Sequence, residues 1–192
     1  MDHDVAFKEL TRRSGVLLRG RGFKGSGQNF RRDLGEVWQV VNFQKSQWRD
    51  RSTPVSFTLN LGSHFPRVRA ERWRDVAEPG KLSVMHSDIG LRVGDLLPER
   101  RDTWWEVDGG RFDEQWPEFE RALTAAVLPG LDAIATREGL AAHCRHAPWD
   151  LGPAGCAARL WLGPLAPPPW DPQDKEKWKQ DDQGRWRGPG EW

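Results

Sequence analysis

Between residues 55 and 61 the chain reads Val55-Ser56-Phe57-Thr58-Leu59-Asn60-Leu61, an unbroken alternation of apolar and polar side chains. Successive side chains on a strand point to opposite faces. Val55, Phe57, Leu59 and Leu61 therefore share a buried face, and Ser56, Thr58 and Asn60 share a polar one, the signature of an antiparallel sheet with one wet side. Pro54 suits the start of such a strand.

The same logic extends to both sides of this strand. Asn29 to Leu34 and Glu36 to Lys45 are separated only by Gly35, a gap that permits a hairpin and no helical crossover. In Val37-Trp38-Gln39-Val40-Val41-Asn42-Phe43 apolar residues occupy both faces, as in a central strand covered on each side along part of its length. Asp88 to Asp95, with Ile89, Leu91 and Val93 alternating, and Thr103 to Val107 complete a sheet of about five strands.

Helical spacing flanks this ribbon. Phe7, Leu10, Leu17 and Leu18 make an amphipathic helix of Val5 to Arg19, closed by Gly20-Arg21-Gly22-Phe23, with a flexible turn at Lys24 to Gly27. The charged stretch from His64 to Lys81 is a connection with a short helical turn. After Gly109-Gly110, Trp116, Phe119, Leu123 and Val127 recur at helical spacing, with Asp113 as N-cap and Pro129-Gly130 dividing the element into two helices. The expected fold is α+β: a mainly antiparallel sheet with an N-terminal helix and two C-terminal helices on one face. The domain is expected to span residues 1–145. Residues 146–192 are expected to be a Pro-, Gly- and Trp-rich extension, partly disordered, with 163–192 a tail without a core of its own.

Several of these pieces, in order, resemble a known pattern. They are Gly22-Phe23-Lys24, Asn29-Phe30-Arg31-Arg32, Trp38 through Ser46, Leu59-Asn60-Leu61-Gly62, and Ile89-Gly90-Leu91 leading to Leu96-Leu97-Pro98. Over residues 3–143 the chain resembles the bacterial domain of unknown function family 4304. That resemblance implies a stand-alone domain of helix, sheet and C-terminal helices, and it carries over no catalytic residues.

Composition narrows the function classes. No apolar run reaches the roughly 20 residues that cross a bilayer, and the acidic start Met1-Asp2-His3-Asp4 is unlike a secretory signal. A cytoplasmic location is expected, with Cys144 and Cys156 as reduced thiols. The formal charge is +1, but residues 1–51 hold 11 Lys/Arg against 6 Asp/Glu and the remainder 18 against 22. Arg12, Arg13, Arg19, Arg21, Lys24, Arg31 and Arg32, interleaved with Phe23 and Phe30, could meet phosphates and stack on bases. A solvated helix face is the simpler reading of the same residues.

Asn42, Gln44, Lys45, Ser56, Thr58 and Asn60 fall on neighbouring strands, where amides and hydroxyls could bind a peptide, nucleotide or base edge. A wet outer face with cross-strand hydrogen bonds is the simpler reading of the same residues. His86 and Asp88, two apart on a strand, would project together as an acid/base pair. A strand-end histidine bonded to a carboxylate is the plainer alternative. His143-Cys144-Arg145-His146 with Cys156 offers zinc-type donors at poor spacing, so no metal and no cofactor is expected. Trp170, Trp178, Trp186 and Trp192 could dock on the sheet or anchor a partner. The first functional reading is thus a non-enzymatic module, accessory or immunity-like, with a protein partner. A nucleic-acid binder using the basic N-terminal quarter and a small hydrolase centred on His86 and Asp88 stand as alternatives.

Overall fold

The computed structural model describes residues 1–47, 52–73, 81–97, 101–146, 156–167, 179–180 and 186–187. Helix α1 (His3–Gly20) leads into β1 (Lys24–Ser26), β2 (Asn29–Asp33), β3 (Trp38–Lys45) and β4 (Val55–His64). Helix α2 (Pro66–Trp73), β5 (Ile89–Arg92) and β6 (Trp105–Val107) follow, then α3 (Phe112–Ala122), α4 (Leu128–Ala133), α5 (Arg137–His146) and α6 (Ala157–Leu162). A short ribbon of β7 (Lys179–Gln180) and β8 (Trp186–Arg187) forms a second, two-stranded sheet.

All pairings in the main sheet are antiparallel, in the order β1-β2-β3-β4-β5, with β6 also bonded to β4. The ten residues of β4 serve two neighbours along one edge: Asn60 to Ser63 pair with β5, and Val55 to Phe57 pair with β6. The fold is the expected α+β arrangement, and the differences lie at its margins. Lys24 to Ser26, read as a flexible turn, zips onto β2, because Gly25 at φ +135° and Gly27 at φ +61° take backbone shapes that side chains resist. A Cβ at Gly25 would overlap the Asn29 carbonyl oxygen.

The odd-numbered residues of β4 bury against the helices, as the alternation requires. Phe57 packs edge-on against Phe7 of α1 at 5.4 Å between ring centres and against Phe119 of α3 at the same distance. Phe43 of β3 adds contacts with Phe57 and Phe119. Small residues on α1 let it lie close: Ser14 and Gly15 are buried, and a Cβ on Gly15 would come within 2.9 Å of the Phe30 ring.

Asp2, not a residue inside the expected span, caps α1 by accepting from the Asp4 and Val5 amides at 2.8 and 3.2 Å. At the other end of the domain, Asp113 sits in the first turn of α3, with Arg111 at the N-cap position. Pro129 has no N–H to continue an α-helical ladder. The chain meets it with a widened π turn over Leu123–Val127, where the Leu128 N–H reaches the Leu123 carbonyl, so α3 runs into α4 without a break. Two further helices follow. Ala157, Ala158, Trp161 and Leu162 of α6 join the same apolar cluster as the sheet, and Trp161 stacks on Phe65 at 4.7 Å. No helix among the described residues is long and apolar enough to cross a membrane.

Candidate binding site on the polar face of the sheet

Even-numbered residues of β3 and β4 project away from the helices. Register places Asn42 opposite Asn60 and Gln44 opposite Thr58, while Asn29 of β2 lies opposite Asn42. Their side chains form a ladder across three strands. Asn42 Nδ2 donates to Asn29 Oδ1 at 2.9 Å, and Asn60 Nδ2 donates to Gln44 Oε1 at 2.7 Å and Asn42 Oδ1 at 3.2 Å. Each amide offers two N–H donors and an acceptor with two lone pairs. Among the described residues, these three ladder bonds leave most of that capacity unused.

Two loops frame the ladder. At one end Ser87 Oγ lies against Gly62, and the His86 carbonyl is 3.0 Å from His64 Nδ1. At the other, Thr58 Oγ1 donates to the Thr103 carbonyl at 2.8 Å. Thr58 is thereby fully buried, whereas Asn42, Gln44, Asn60 and Ser56 are partly accessible. Val40, on this same face, is covered, which accounts for the apolar residues on both sides of β3.

Lys45 does not belong to the group. Its odd number turns it to the helix side, where Nζ pairs with Asp4 Oδ1 at 2.8 Å and lies 4.7 Å above the Phe7 ring. Residues missed from sequence replace it: Asn29, and Arg92, which lies opposite Asn60 and over the half-exposed Trp104 ring at 5.5 Å. Arg92 Nη1 is buried and finds no acceptor among the described residues. The alternation of Ile89 and Leu91 inward already placed Arg92 outward.

The basic N-terminal residues are largely neutralised within the chain. Arg12 and Arg13 both engage Glu9, at 2.7 and 2.9 Å, and Arg13 also reaches Asp113. Hydrogen bonds from Arg12 and then Arg13 lower the Glu9 carboxyl to about 2. Arg21 pairs with Asp132 at 3.0 Å, and Arg19 donates to the Gly25 carbonyl. Arg32 is not surface at all. Only 6% exposed, it sends Nε and Nη2 to Gln39 Oε1, Nη2 to Asp132 Oδ1 at 2.7 Å, and stacks over Phe23. Gln39 completes this helix-side network by donating to the Leu131 carbonyl. Lys24 is exposed and Arg31 partly so.

His86 and Asp88 are not brought together as a strand pair. Val84–His86 is a 3₁₀ turn, and His86 Nδ1 accepts the Ser83 N–H. The Asp88 carboxylate turns inward instead, reaching His64 Nδ1 at 3.1 Å, the Phe65 N–H at 2.9 Å and Arg69 Nε at 2.6 Å. Burial pushes the Asp88 carboxyl up, and the hydrogen bonds from His64, Phe65 and Arg69 outweigh it, holding the group below the usual carboxylate range. Bonding a β4 end, the start of α2 and an α2 side chain at once, Asp88 works as a structural clasp.

Of the zinc-type donors, Cys144 is buried in the apolar cluster, with Cys156 packed against that cluster's rim. No three His, Cys, Asp or Glu among the described residues are placed to hold one metal ion. Trp170, Trp178 and Trp192 lie outside the described residues, and Trp186 is described only as a strand residue.

A six-stranded antiparallel sheet, helices on one side and an amide ladder on the other, defines a small α+β domain. The chain belongs to the family described as domain of unknown function DUF4304, whose sequence profile matches residues 15–133. That span runs from the middle of α1 to the end of α4 and takes in all six strands of the main sheet. No curated protein and no solved structure matches the chain.

Proposed function

We propose that this protein is a non-enzymatic interaction module, of the accessory or immunity type, that engages a protein partner through the polar face of its sheet. The observation that carries this reading is the Asn29–Asn42–Asn60–Gln44 ladder. A hydrogen-bonded array rigid enough to be pre-organised yet rich in unused donors and acceptors suits recognition of peptide groups. The nucleic-acid alternative is weakened because Arg12, Arg13, Arg21 and Arg32 each pair with a carboxylate. The hydrolase alternative is weakened because Asp88 is occupied by Arg69 and His64.

The test is affinity capture from native cell extract with the full chain, its Asn42→Leu/Asn60→Leu variant, and a Glu120→Ala control on α3. A partner retained by the wild type and the control, and lost by a ladder variant of unchanged thermal stability, supports the reading. Recovery of no partner, or equal recovery by all three proteins, contradicts it.

A further inference from the structure

Among the described residues strand β6 has no neighbour on its side away from β4, and the geometry of that edge is specific. Ser56 accepts the Ser46 N–H through its carbonyl, so its main-chain groups face β3. In an antiparallel strand the main-chain groups alternate sides. Val55 and Phe57 are therefore the residues bonded to β6, through Val107 and Trp105. Glu106, opposite Ser56, turns its N–H and C=O outward, and neither meets a partner among the described residues. Two residues further on, the outward Asp108 N–H is already taken by Gln115 Oε1 of α3 at 2.9 Å. The free edge is thus closed at Asp108 and open at Glu106.

Beside Glu106 lies a cavity of about 300 Å³ between β6 and α3, walled by Trp105, Phe112, Trp116 and Phe119. Glu106 and Glu118, both exposed, are among its lining residues, the Glu106 side chain turning to the opposite face with Ser56; no Lys or Arg lines it, and neither glutamate has an ion pair among the described residues.

We infer that this edge binds an extended peptide from a partner protein, carrying a basic residue opposite Glu106 and a bulky apolar residue next to it in the β6–α3 cavity. Main-chain bonding and side-chain register fix the order. A peptide residue bonded to both Glu106 main-chain groups points its side chain to the same face as the Glu106 side chain, within reach of that carboxylate. Its neighbour in the peptide projects to the opposite face, beside Trp105 and into the aromatic cavity. The Gln115 clamp on Asp108 stops a longer ladder, so recognition is confined to a short apolar-basic segment. This surface is distinct from the amide ladder, and its failure leaves the ladder reading standing.

The probe is fluorescein-labelled acetyl-Ser-Leu-Arg-Leu-Ser-amide, titrated by anisotropy against the full chain. Saturable binding is expected. A peptide N-methylated at its arginine, which cannot donate to the Glu106 carbonyl, should bind at least about tenfold more weakly, and so should the peptide with glutamate in place of arginine. The Glu106→Lys variant, altered only at an exposed position, should lose binding of the arginine peptide and gain it for the glutamate peptide. Absence of binding, or binding indifferent to both N-methylation and Glu106→Lys, overturns the assignment. A peptide-free dimer that Glu106→Lys dissociates also overturns it, by identifying a second copy of the chain as the occupant.

Discussion

Replacing Asp88 with Asn keeps the shape of the side chain and removes its charge, which isolates what the clasp contributes. The wild-type carboxylate is 3% exposed and accepts from the Phe65 N–H, His64 and Arg69. Breaking a buried ion pair by removing one partner costs about 3–5 kcal/mol. Two features reduce that figure. Arg69 is 30% exposed and can be rehydrated, and the asparagine oxygen still accepts from Phe65. A loss of about 2–3 kcal/mol remains, equivalent to a Tm lower by about 5–10 °C for a domain of this size. Urea or thermal unfolding followed by circular dichroism measures it. The pH dependence adds a second signature. Because the folded carboxyl titrates below its unfolded value of about 3.9, its contribution is fully present above that pH and fades as pH falls through the folded value. The gap between wild type and Asp88→Asn should be constant from about pH 5 to 8 and narrow toward pH 3. A variant within about 0.5 kcal/mol of wild type at pH 7, or a gap that persists undiminished in acid, would refute the clasp.

Two other substitutions probe the framework of the face. Arg32→Lys removes the planar fork shared by Gln39 and Asp132 and the stacking on Phe23, with an expected loss of about 2–3 kcal/mol in urea unfolding; a loss under about 0.5 kcal/mol would mean the network contributes nothing. Gly25→Ala forces a Cβ onto the Asn29 carbonyl at φ +135°. The exposed β1 can detach to relieve it, so the global loss should stay near about 1–2 kcal/mol while amide exchange protection is lost selectively across the β1–β2 pairing. Retained protection there would contradict the strain argument.

What could be read from sequence follows from the period of each element. The seven-residue alternation in β4 fixed its faces, and with the hairpin at Gly35 it brought Asn42, Gln44 and Asn60 together. Lys45 and Arg32 follow strand parity, although their charge alone would place them at the surface. Arg32 shares its face with Phe30, and Lys45 shares its face with Phe43, so alternation pointed both toward the helices. Arg32 is buried against Asp132, a hundred residues away, and the half-buried Lys45 pairs with Asp4, partners that no local pattern discloses. His86 and Asp88 do not share a face, because spacing two apart puts side chains together only on a strand, and a 3₁₀ turn intervenes at Val84–His86. Helix α6, only six residues between Cys156 and Gly163, is too short for its period to register. Its place is set by Trp161 against Phe65.

The claim on which the functional account rests is that the amide face, not the helix side, meets the partner. A photo-crosslinking residue at position 42 in the full chain, with a second chain carrying it at the exposed Val16 of α1, tests it in native extract. The account predicts a discrete ultraviolet-dependent adduct from position 42 and none from position 16. An adduct from position 16 alone, or none from either, would contradict it.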